Sequence, residues 1–353
     1  MNPMEPTRPL VSIVIPCLRE RKHIGAALES ILLQDYPRER LEVLVVDGMS
    51  EDGTREIVQD ISLHHPHIRL LDNPKRVTPA ALNVGIQGAR GEVIVRMDAH
   101  TTYETDYVTR CVRALSESNA DVVGGIWKVV PEEDSLLGRA IALALSDSFG
   151  VGNAHYRTGH TTEPRQVDAV PFGSYRRHLF ERVGLFDESV PRSEDADLYR
   201  RVRAAGGKIL LVPTIVAYYR ARSSLLAFLR HTLQNGFLVT YYLKTRRVTF
   251  FGRHLVPLAF VSTVVALAAL ALVHSAFLWP LAAVLASHSL ANLLASFRVA
   301  AAQKNARYMA IMLAVFAALH WCYGLGAAWG LVRALTSTSL WRRSPAGRRA
   351  HGG

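Results

Sequence analysis

Over the first hundred residues, short apolar runs alternate with longer stretches whose apolar positions recur at helical spacing. Val11-Ser12-Ile13-Val14-Ile15-Pro16 is an apolar run closed by a proline and reads as a buried strand. His23 to Leu33 has helical spacing and stops at Asp35-Tyr36-Pro37. Leu41 to Val46 is a second strand, broken by Asp47-Gly48, followed by a short helix over Thr54 to Ile61. Ile68-Arg69-Leu70-Leu71 is a third strand, and Pro79 to Gln87 a helix with proline near its start. Val93-Ile94-Val95-Arg96-Met97 is a fourth strand that ends at Asp98. Strands alternating with helices predict an α/β fold with a mostly parallel sheet covered on both faces. Ligands of such sheets bind beyond the carboxyl ends of the strands. Asp47 and Asp98 both close strands, and that placement makes them site candidates.

The regular alternation fades after Asp121. Residues 121–184 are rich in glycine and aromatics, as in Gly150-Val151-Gly152-Asn153-Ala154-His155-Tyr156, and read as long loops over a site. Glu194 to Ala205 is helical and closed by Gly206-Gly207. Ser224 to Lys244 is an amphipathic helix with Arg230 and His231 among leucines and aromatics, a pattern suited to a membrane surface. The pattern then changes character. Leu255–Val273 has no charged residue, and Ala276–Phe297 and Met309–Val332 are comparably apolar. Each is long enough to cross a bilayer. One such run can be a buried soluble helix; three in succession argue for membrane insertion. His288 and Asn292, inside the second run, are expected to face protein rather than lipid. The division expected is a catalytic domain over 1–223, an interfacial helix and linker over 224–253, about three transmembrane helices over 254–333, and a basic tail over 334–353.

Charge refines this picture. Lys and Arg number 41 against 30 Asp and Glu, a formal net charge of +11. Such an excess suits nucleic acid or an anionic membrane surface. The basic residues form no dense stripe with interleaved aromatics, and many flank the apolar runs, so the membrane is the expected partner and nucleic acid is not. Cys17, Cys111 and Cys322 match no metal or redox spacing, and three is an odd count for a disulfide framework. Reduced thiols in a cytoplasmic domain fit best. The opening MNPMEPTRPL holds no apolar core of signal-peptide length, so the soluble part is expected to stay in the cytoplasm. Arg246, Arg247 and Arg253 precede the first apolar run, and Arg298, Lys304 and Arg307 follow the second. A cytoplasmic domain with a hairpin at His274-Ser275 satisfies both groups. A third crossing would put Arg342, Arg343, Arg348 and Arg349 on the far side, so either the tail departs from the charge rule or one run does not cross.

Two acidic clusters carry the candidate chemistry. In Met97-Asp98-Ala99-His100, a carboxylate and an imidazole two residues apart in an extended segment point to the same side, so both can approach one divalent cation. The imidazole tilts the choice from Mg²⁺ toward Mn²⁺ or another transition ion; the other reading of His100 is a loop histidine without metal. In Ser193-Glu194-Asp195-Ala196-Asp197-Leu198, Asp195 can take a proton from an attacking hydroxyl. Glu194 and Asp195 also suit the positive end of a helix, which does not exclude catalysis. Three acidic loop sites on a βα scaffold, followed by an apolar third, point to a membrane-bound enzyme that transfers a sugar from a nucleotide.

The segments VSIVIPCLRE, VVDGMSEDGT, ALNVGIQGARGE, VRMDAHTTY, VDAVPFGSYRRHLFERVGLFDES and SEDADLYRRVRAAGG occur in that order. Over residues 10 to 236 they resemble the family 2 inverting glycosyltransferases of GT-A fold. Within that family the chain is most similar to the membrane-associated enzymes of bacterial exopolysaccharide assembly, of the succinoglycan-biosynthesis type. The resemblance implies a donor site of Pro16, Glu20, Asp47, Arg76 and Asp98, with Asp47 accepting a hydrogen bond from the N–H of uracil. The alternative for Asp47 is a turn residue, since Asp-Gly is common in turns. Arg19 stands where the family has Asn and either reaches a phosphate or is solvated; Arg76 lies in a loop where family members contact the donor, and it also reads as a solvated surface arginine. Asp98 and His100 replace the family's Asp-x-Asp and imply Mn²⁺ or Mg²⁺. Asp195 falls at the base of the family's Glu-Asp pair, with Glu194 and Asp197 in support. Gly173, Arg176 and Arg177 lie in the acceptor-side motif, with Glu194 beside them; Arg177 also reads as a helix-surface charge. The Gln-x-x-Arg-Trp of processive synthases is replaced by Arg230-His231-Thr232-Leu233-Gln234-Asn235-Gly236, which favours addition of one sugar.

The resemblance therefore leads to an expected UDP-linked sugar donor, a divalent metal, and a lipid-linked saccharide acceptor at the inner membrane in exopolysaccharide or cell-envelope glycan assembly. One rival transfers sugar straight to polyprenyl phosphate, with Arg176, Arg177 and Arg222 holding the phosphate. Another is a membrane scaffold with a degenerate enzyme fold, against which the intact Asp47, Asp98 and Asp195 argue.

Overall fold

The computed structural model describes residues 8–159, 161–190, 194–242 and 252–336. Its contacts divide the chain into two units: Met1–Lys128 with His155–Arg220, and Val129–Ala154 with Ala221–Gly353.

The first unit is built on a nine-stranded sheet. Four parallel strands come first, β1 (Val11–Cys17), β2 (Leu41–Asp47), β3 (Ile68–Asp72) and β4 (Val93–Arg96), in spatial order β3-β2-β1-β4. The register aligns Val11 with Leu41 and Val93, so β1 lies between its parallel partners. Every residue of β2 is buried, which explains a continuous apolar run in place of alternation. Ile13 and Ile15 face α1 (Ile24–Leu32), α2 (Thr54–His64) and α4 (Tyr107–Glu117) through Leu28, Val58 and Cys111. Val14, Leu44 and Ile94 face the opposite layer, in which α3 (Thr78–Gly88) supplies Leu82 and Ile86. Burial of each such side chain stabilises the fold by about 1.5–3 kcal/mol.

The parallel order expected from the sequence holds for this half only. Beyond β4 the sheet turns antiparallel and continues β8-β6-β9-β5, with β7 on β9. These strands are β5 (Thr101–Tyr103), β6 (Val122–Pro131), β7 (Arg165–Gln166), β8 (Ser174–Arg176) and β9 (Ile209–Ala221). Residues 121–184, expected as loops, thus contain β6, β7 and β8 as well as the helices α5 (Leu136–Ser146), α6 (Ser148–Val151), α7 (His155–Thr158) and α8 (Leu179–Val183). The glycines that gave a loop-like reading are sites of close approach: a Cβ on Gly124 would run into Val170, and one on Gly125 into the backbone of Ile215. Helix α9 (Glu194–Ala204) packs Leu198 and Val202 on the same face as α3.

In the second unit, α5 and α6 belong with α10 (Leu225–Tyr241), α11 (Gly252–Val273), α12 (Leu278–Ala302) and α13 (Arg307–Thr336). Residues 129–154, within the expected 1–223 domain, have their contacts mainly in this second unit. Three helical segments, Gly252–Val273, Ser275–Ala302 and Arg307–Thr336, are long and apolar enough to cross a membrane, with mean hydropathies of 2.5, 1.5 and 1.7. His288 meets His320 at 3.1 Å, and Asn292 Nδ2 donates to Leu313 O at 3.0 Å, so both face protein as expected. The buried stripe of α10 is Phe228, Thr232, Gly236 and Thr240, a step of four residues each time. It lies on α13, where Gly326 and Gly330 abut the carbonyls of Leu233 and Phe237, and Thr240 Oγ1 donates to Ala327 O at 2.6 Å. That stripe is therefore occupied by a helix, while Leu225, Leu226 and Arg230 are exposed. Lys244, Arg246, Arg247, Arg342, Arg343, Arg348 and Arg349 lie outside the described residues, as does most of the 334–353 tail.

Candidate active site

The loops after β1, β2 and β3 meet at the carboxyl edge of the parallel strands. Each holds a non-glycine residue in left-handed backbone: Arg19 (φ 57°), Met49 (φ 60°) and Arg76 (φ 57°). Strain of this kind concentrates at ligand sites. The first two loops are stitched together: Arg19 N donates to Ser50 Oγ at 2.8 Å and Glu20 N to Thr54 Oγ1 at 2.9 Å. Pro16 sits one step inside the edge, aligned with Val46. The Asp47 carboxylate is 0% exposed. It accepts from Ser50 N (2.7 Å), Ser50 Oγ (2.6 Å) and Arg55 Nη1 (3.1 Å). It is thus committed to holding the loop, and a base contact there would use the one lone pair that remains. Arg76 is exposed on the third loop, whose Asn73 N donates to Asp47 O at 2.8 Å.

Beside these loops β4 ends in Arg96, Met97 and Asp98. Arg96 is 7% exposed and gathers three carboxylates. Its Nε donates to Asp98 Oδ1 at 3.1 Å, and its Nη1 to Glu194 Oε1 at 3.0 Å and Asp195 Oδ1 at 2.7 Å. Asp98 and Asp195, nearly a hundred residues apart in sequence, are therefore held by one guanidinium. Sequence reasoning missed Arg96; a charged residue inside the apolar run Val93–Met97 was the available signal, since buried charges are rare unless paired. Burial pushes the Asp195 carboxyl up to about 7, and Glu194 and Asp98 add to the rise against the downward pull of Arg96. Ser193, the first residue of that acidic cluster, lies outside the described residues.

His100 stands in the turn after Asp98, with Nδ1 3.2 Å from Glu20 Oε1 and its ring edge-on to Tyr219 at 5.8 Å. Tyr103 pins the same turn, its hydroxyl oxygen accepting from Asp98 N at 2.6 Å. Among the described residues no three His, Cys, Asp or Glu side chains close on one point as a ready metal cage. The donor set nonetheless fits a divalent cation: the three carboxyl groups of Asp98, Glu194 and Asp195 gather around the single cation of Arg96. A cation that arrives with a diphosphate needs only one or two protein ligands, and Asp98 and His100 are the residues placed to supply them.

The acceptor-side candidates separate. Gly173 belongs to the site: its carbonyl accepts from Arg96 N at 3.1 Å, and a Cβ there would collide with the Tyr175 hydroxyl. Glu194 belongs too, through Arg96. Arg176 and Arg177 do not, because β8 runs antiparallel to β4 and carries them away from Asp98 toward the start of β4: Ser174 is opposite Val95, and Arg176 opposite Val93. The Arg176 guanidinium is spent on the carbonyls of Leu115, Ala120 and Ser118 at the end of α4, and Arg177 N donates to Glu92 O at 2.9 Å. Asp197 also has a local task, accepting from Arg200 and Arg201 at 2.8 Å each.

The chain is similar to known glycosyltransferases. Residues 12–184 match the family model "Glycosyl transferase family 2". The chain is 35% identical over 218 residues to succinoglycan biosynthesis protein ExoA of Rhizobium meliloti (strain 1021), a match covering 60% of this chain and 64% of that protein. It is 28% identical over 234 residues to a Methanococcus voltae dolichyl N-acetyl-alpha-D-glucosaminyl phosphate 3-beta-D-2,3-diacetamido-2,3-dideoxy-beta-D-glucuronosyltransferase, covering 64% of this chain and 71% of that one. Among solved structures, mannosyltransferase PcManGT from Pyrobaculum calidifontis, in complex with GDP-Man and Mn²⁺, superposes with a TM-score of 0.63 at 23% identity. That superposition covers 93% of this chain and 88% of the other, and it shows a shared GT-A type of fold.

Proposed function

We propose that the chain, whose residues 12–184 match the glycosyl transferase family 2 model, moves one sugar, with inversion, from a nucleotide-sugar donor to a lipid-linked saccharide in exopolysaccharide or cell-envelope glycan assembly. The observation that carries this reading is the Arg96 cluster, which brings Asp98 of the donor side and Asp195 of the acceptor side to one guanidinium. An acceptor hydroxyl oxygen attacks the anomeric carbon, the bond from that carbon to the diphosphate oxygen breaks, and the hydroxyl proton passes to Asp195. Nucleoside diphosphate leaves on the opposite face with the bonding electron pair. A base of this type contributes about 10²–10⁴-fold. Bound Mn²⁺ or Mg²⁺ would neutralise charge on the departing diphosphate, with Asp98 and His100 as its protein ligands. The β1, β2 and β3 loops, with Pro16, Glu20, Asp47 and Arg76, form the donor side. The donor expected from the family resemblance is UDP-linked; the complex of PcManGT with GDP-Man makes a guanosine donor the alternative to test beside it.

Three helices long and apolar enough to cross a membrane support a membrane-bound enzyme; the reading places it at the inner membrane with the catalytic domain on the cytoplasmic side. The test is a screen of UDP-, GDP- and TDP-sugars with purified protein and Mn²⁺. Slow hydrolysis of one class, abolished by Asp195→Asn, is the expected result. Absence of nucleotide binding and of hydrolysis across the panel overturns the reading.

A further inference from the structure

Asp47 and Asp72 close neighbouring parallel strands and stand opposite each other in the register of β2 and β3. Like charges so placed repel unless a cation joins them. Arg55, in the first turn of α2, is that cation: its Nη1 donates to Asp47 Oδ2 at 3.1 Å and its Nη2 to Asp72 Oδ1 at 2.8 Å. The bridge runs from the sealed side chain of Asp47 to that of Asp72, which is 57% exposed. It lies at the carboxyl edge of the sheet, on the loops assigned above to the donor side.

An ionised carboxylate offers about four acceptor positions, two on each oxygen. On Asp47 Oδ2 both are taken, by Ser50 N at 2.7 Å and by Arg55. On Oδ1 one is taken, by Ser50 Oγ at 2.6 Å, so a single acceptor is left among the described residues. Donors on both oxygens also keep the carboxylate from swivelling to offer another. Uracil and thymine present one ring N–H between two carbonyl oxygens, and one acceptor satisfies it. Guanine presents two adjacent N–H groups, on N1 and N2, which pair with both oxygens of one carboxylate. At Asp47 the second of these would point at an oxygen already filled. A polar group left unpaired in a closed site counts heavily against the ligand that brings it.

We propose that Arg55 determines the base specificity of the donor site: by filling Asp47 Oδ2 it leaves Asp47 fit for the single ring N–H of a uridine or thymidine donor and unfit for guanosine. The inference rests on the glycosyltransferase reading, in which Asp47 meets the base. Arg55 is a positioning residue that acts through Asp47, and Asp72 holds its other end.

Affinities for UDP, TDP and GDP are measured by calorimetry on the full-length detergent-solubilised protein, for wild type, Arg55→Ala, Arg55→Lys and Asp72→Asn. The ratio of UDP to GDP affinity is the readout, since a merely structural loss lowers both affinities alike and leaves the ratio unmoved. Wild type is expected to bind UDP and TDP roughly tenfold or more tightly than GDP. Arg55→Ala frees Oδ2 and should shrink that preference by roughly tenfold. Arg55→Lys, which can still donate to Oδ2, should keep most of it. Asp72→Asn, at an exposed position, loosens the far end of the bridge and should move the ratio the same way by less. A wild type that binds GDP as tightly as UDP overturns the proposal, as does a ratio that stays at the wild-type value in both Arg55→Ala and Asp72→Asn. Failure of wild type to bind any nucleotide is a different outcome, which overturns the glycosyltransferase reading itself.

Discussion

Arg96 Nη1 lies 2.7 Å from Asp195 Oδ1, so the strand that ends in Asp98 also holds the proposed base. The same nitrogen reaches Glu194 at 3.0 Å, and the guanidinium is nearly sealed from solvent. Removing it would leave three carboxylates facing one another. Deleting one partner of a buried ion pair typically costs about 3–5 kcal/mol. Arg96→Gln is therefore expected to lower the unfolding midpoint by several degrees and to abolish transfer. Arg96→Lys should keep more stability than activity, because one ammonium cannot reproduce the guanidinium's fork. Thermal unfolding read beside donor hydrolysis checks both; full activity in Arg96→Gln would remove the cluster from the mechanism.

Asp195 must be ionised to accept a proton. Its carboxyl is raised to about 7, first by burial and then by Glu194 and Asp98. The basic form accumulates above that value, so kcat/KM is expected to climb as pH rises through about 7 and to level off on the alkaline side. Asp195→Asn should lower turnover about 10²-fold or more, erase that limb, and leave donor affinity nearly intact. A fall in donor affinity matching the fall in rate would move Asp195 to the donor side.

The metal reading makes its own prediction. Activity should vanish in excess chelator and return with Mn²⁺ or Mg²⁺. Asp98→Asn and His100→Ala should each weaken Mn²⁺ binding measured by electron paramagnetic resonance in the presence of nucleoside diphosphate. Glu20→Gln removes the carboxylate 3.2 Å from His100 Nδ1 and should weaken it less, since that contact orients a ligand rather than supplying one. Turnover that persists in chelator would sink the metal role.

The parts legible in the sequence were those in which local pattern and placement coincide. β1 to β4 are apolar runs stopped by proline, Asp-Gly or Asp, and buried parallel strands demand such runs. Asp98 was found because it closes one of them. Arg96 was missed because its partners Glu194 and Asp195 come from α9, far along the chain, and no local pattern records that meeting. Arg176 and Arg177 share the acceptor-side motif with Gly173, yet an antiparallel strand of three residues is enough to carry them away from it. The three apolar helices were plain from hydropathy, whereas the seat of α10 on α13 depends on glycines whose partners are distant in sequence.

That seat gives the last prediction. At Gly326 and Gly330 a Cβ would enter the carbonyl oxygens of Leu233 and Phe237, and at Gly236 that of Tyr323. Backbone cannot yield there as a flexible side chain can, so α10 and α13 would have to move apart. Close packing through small residues is how apolar helices associate where water does not drive them together. Gly326→Val or Gly330→Val is expected to destabilise the detergent-solubilised protein by about 1–3 kcal/mol, the usual cost of overpacking. Gly252→Val is the matched control, because among the described residues nothing lies within 4 Å of a Cβ at that position. Unfolding midpoints of the three variants, measured side by side, decide the matter. A drop for Gly326 and Gly330 with none for Gly252 supports the α10–α13 interface, and equal midpoints would show that α10 does not sit on α13.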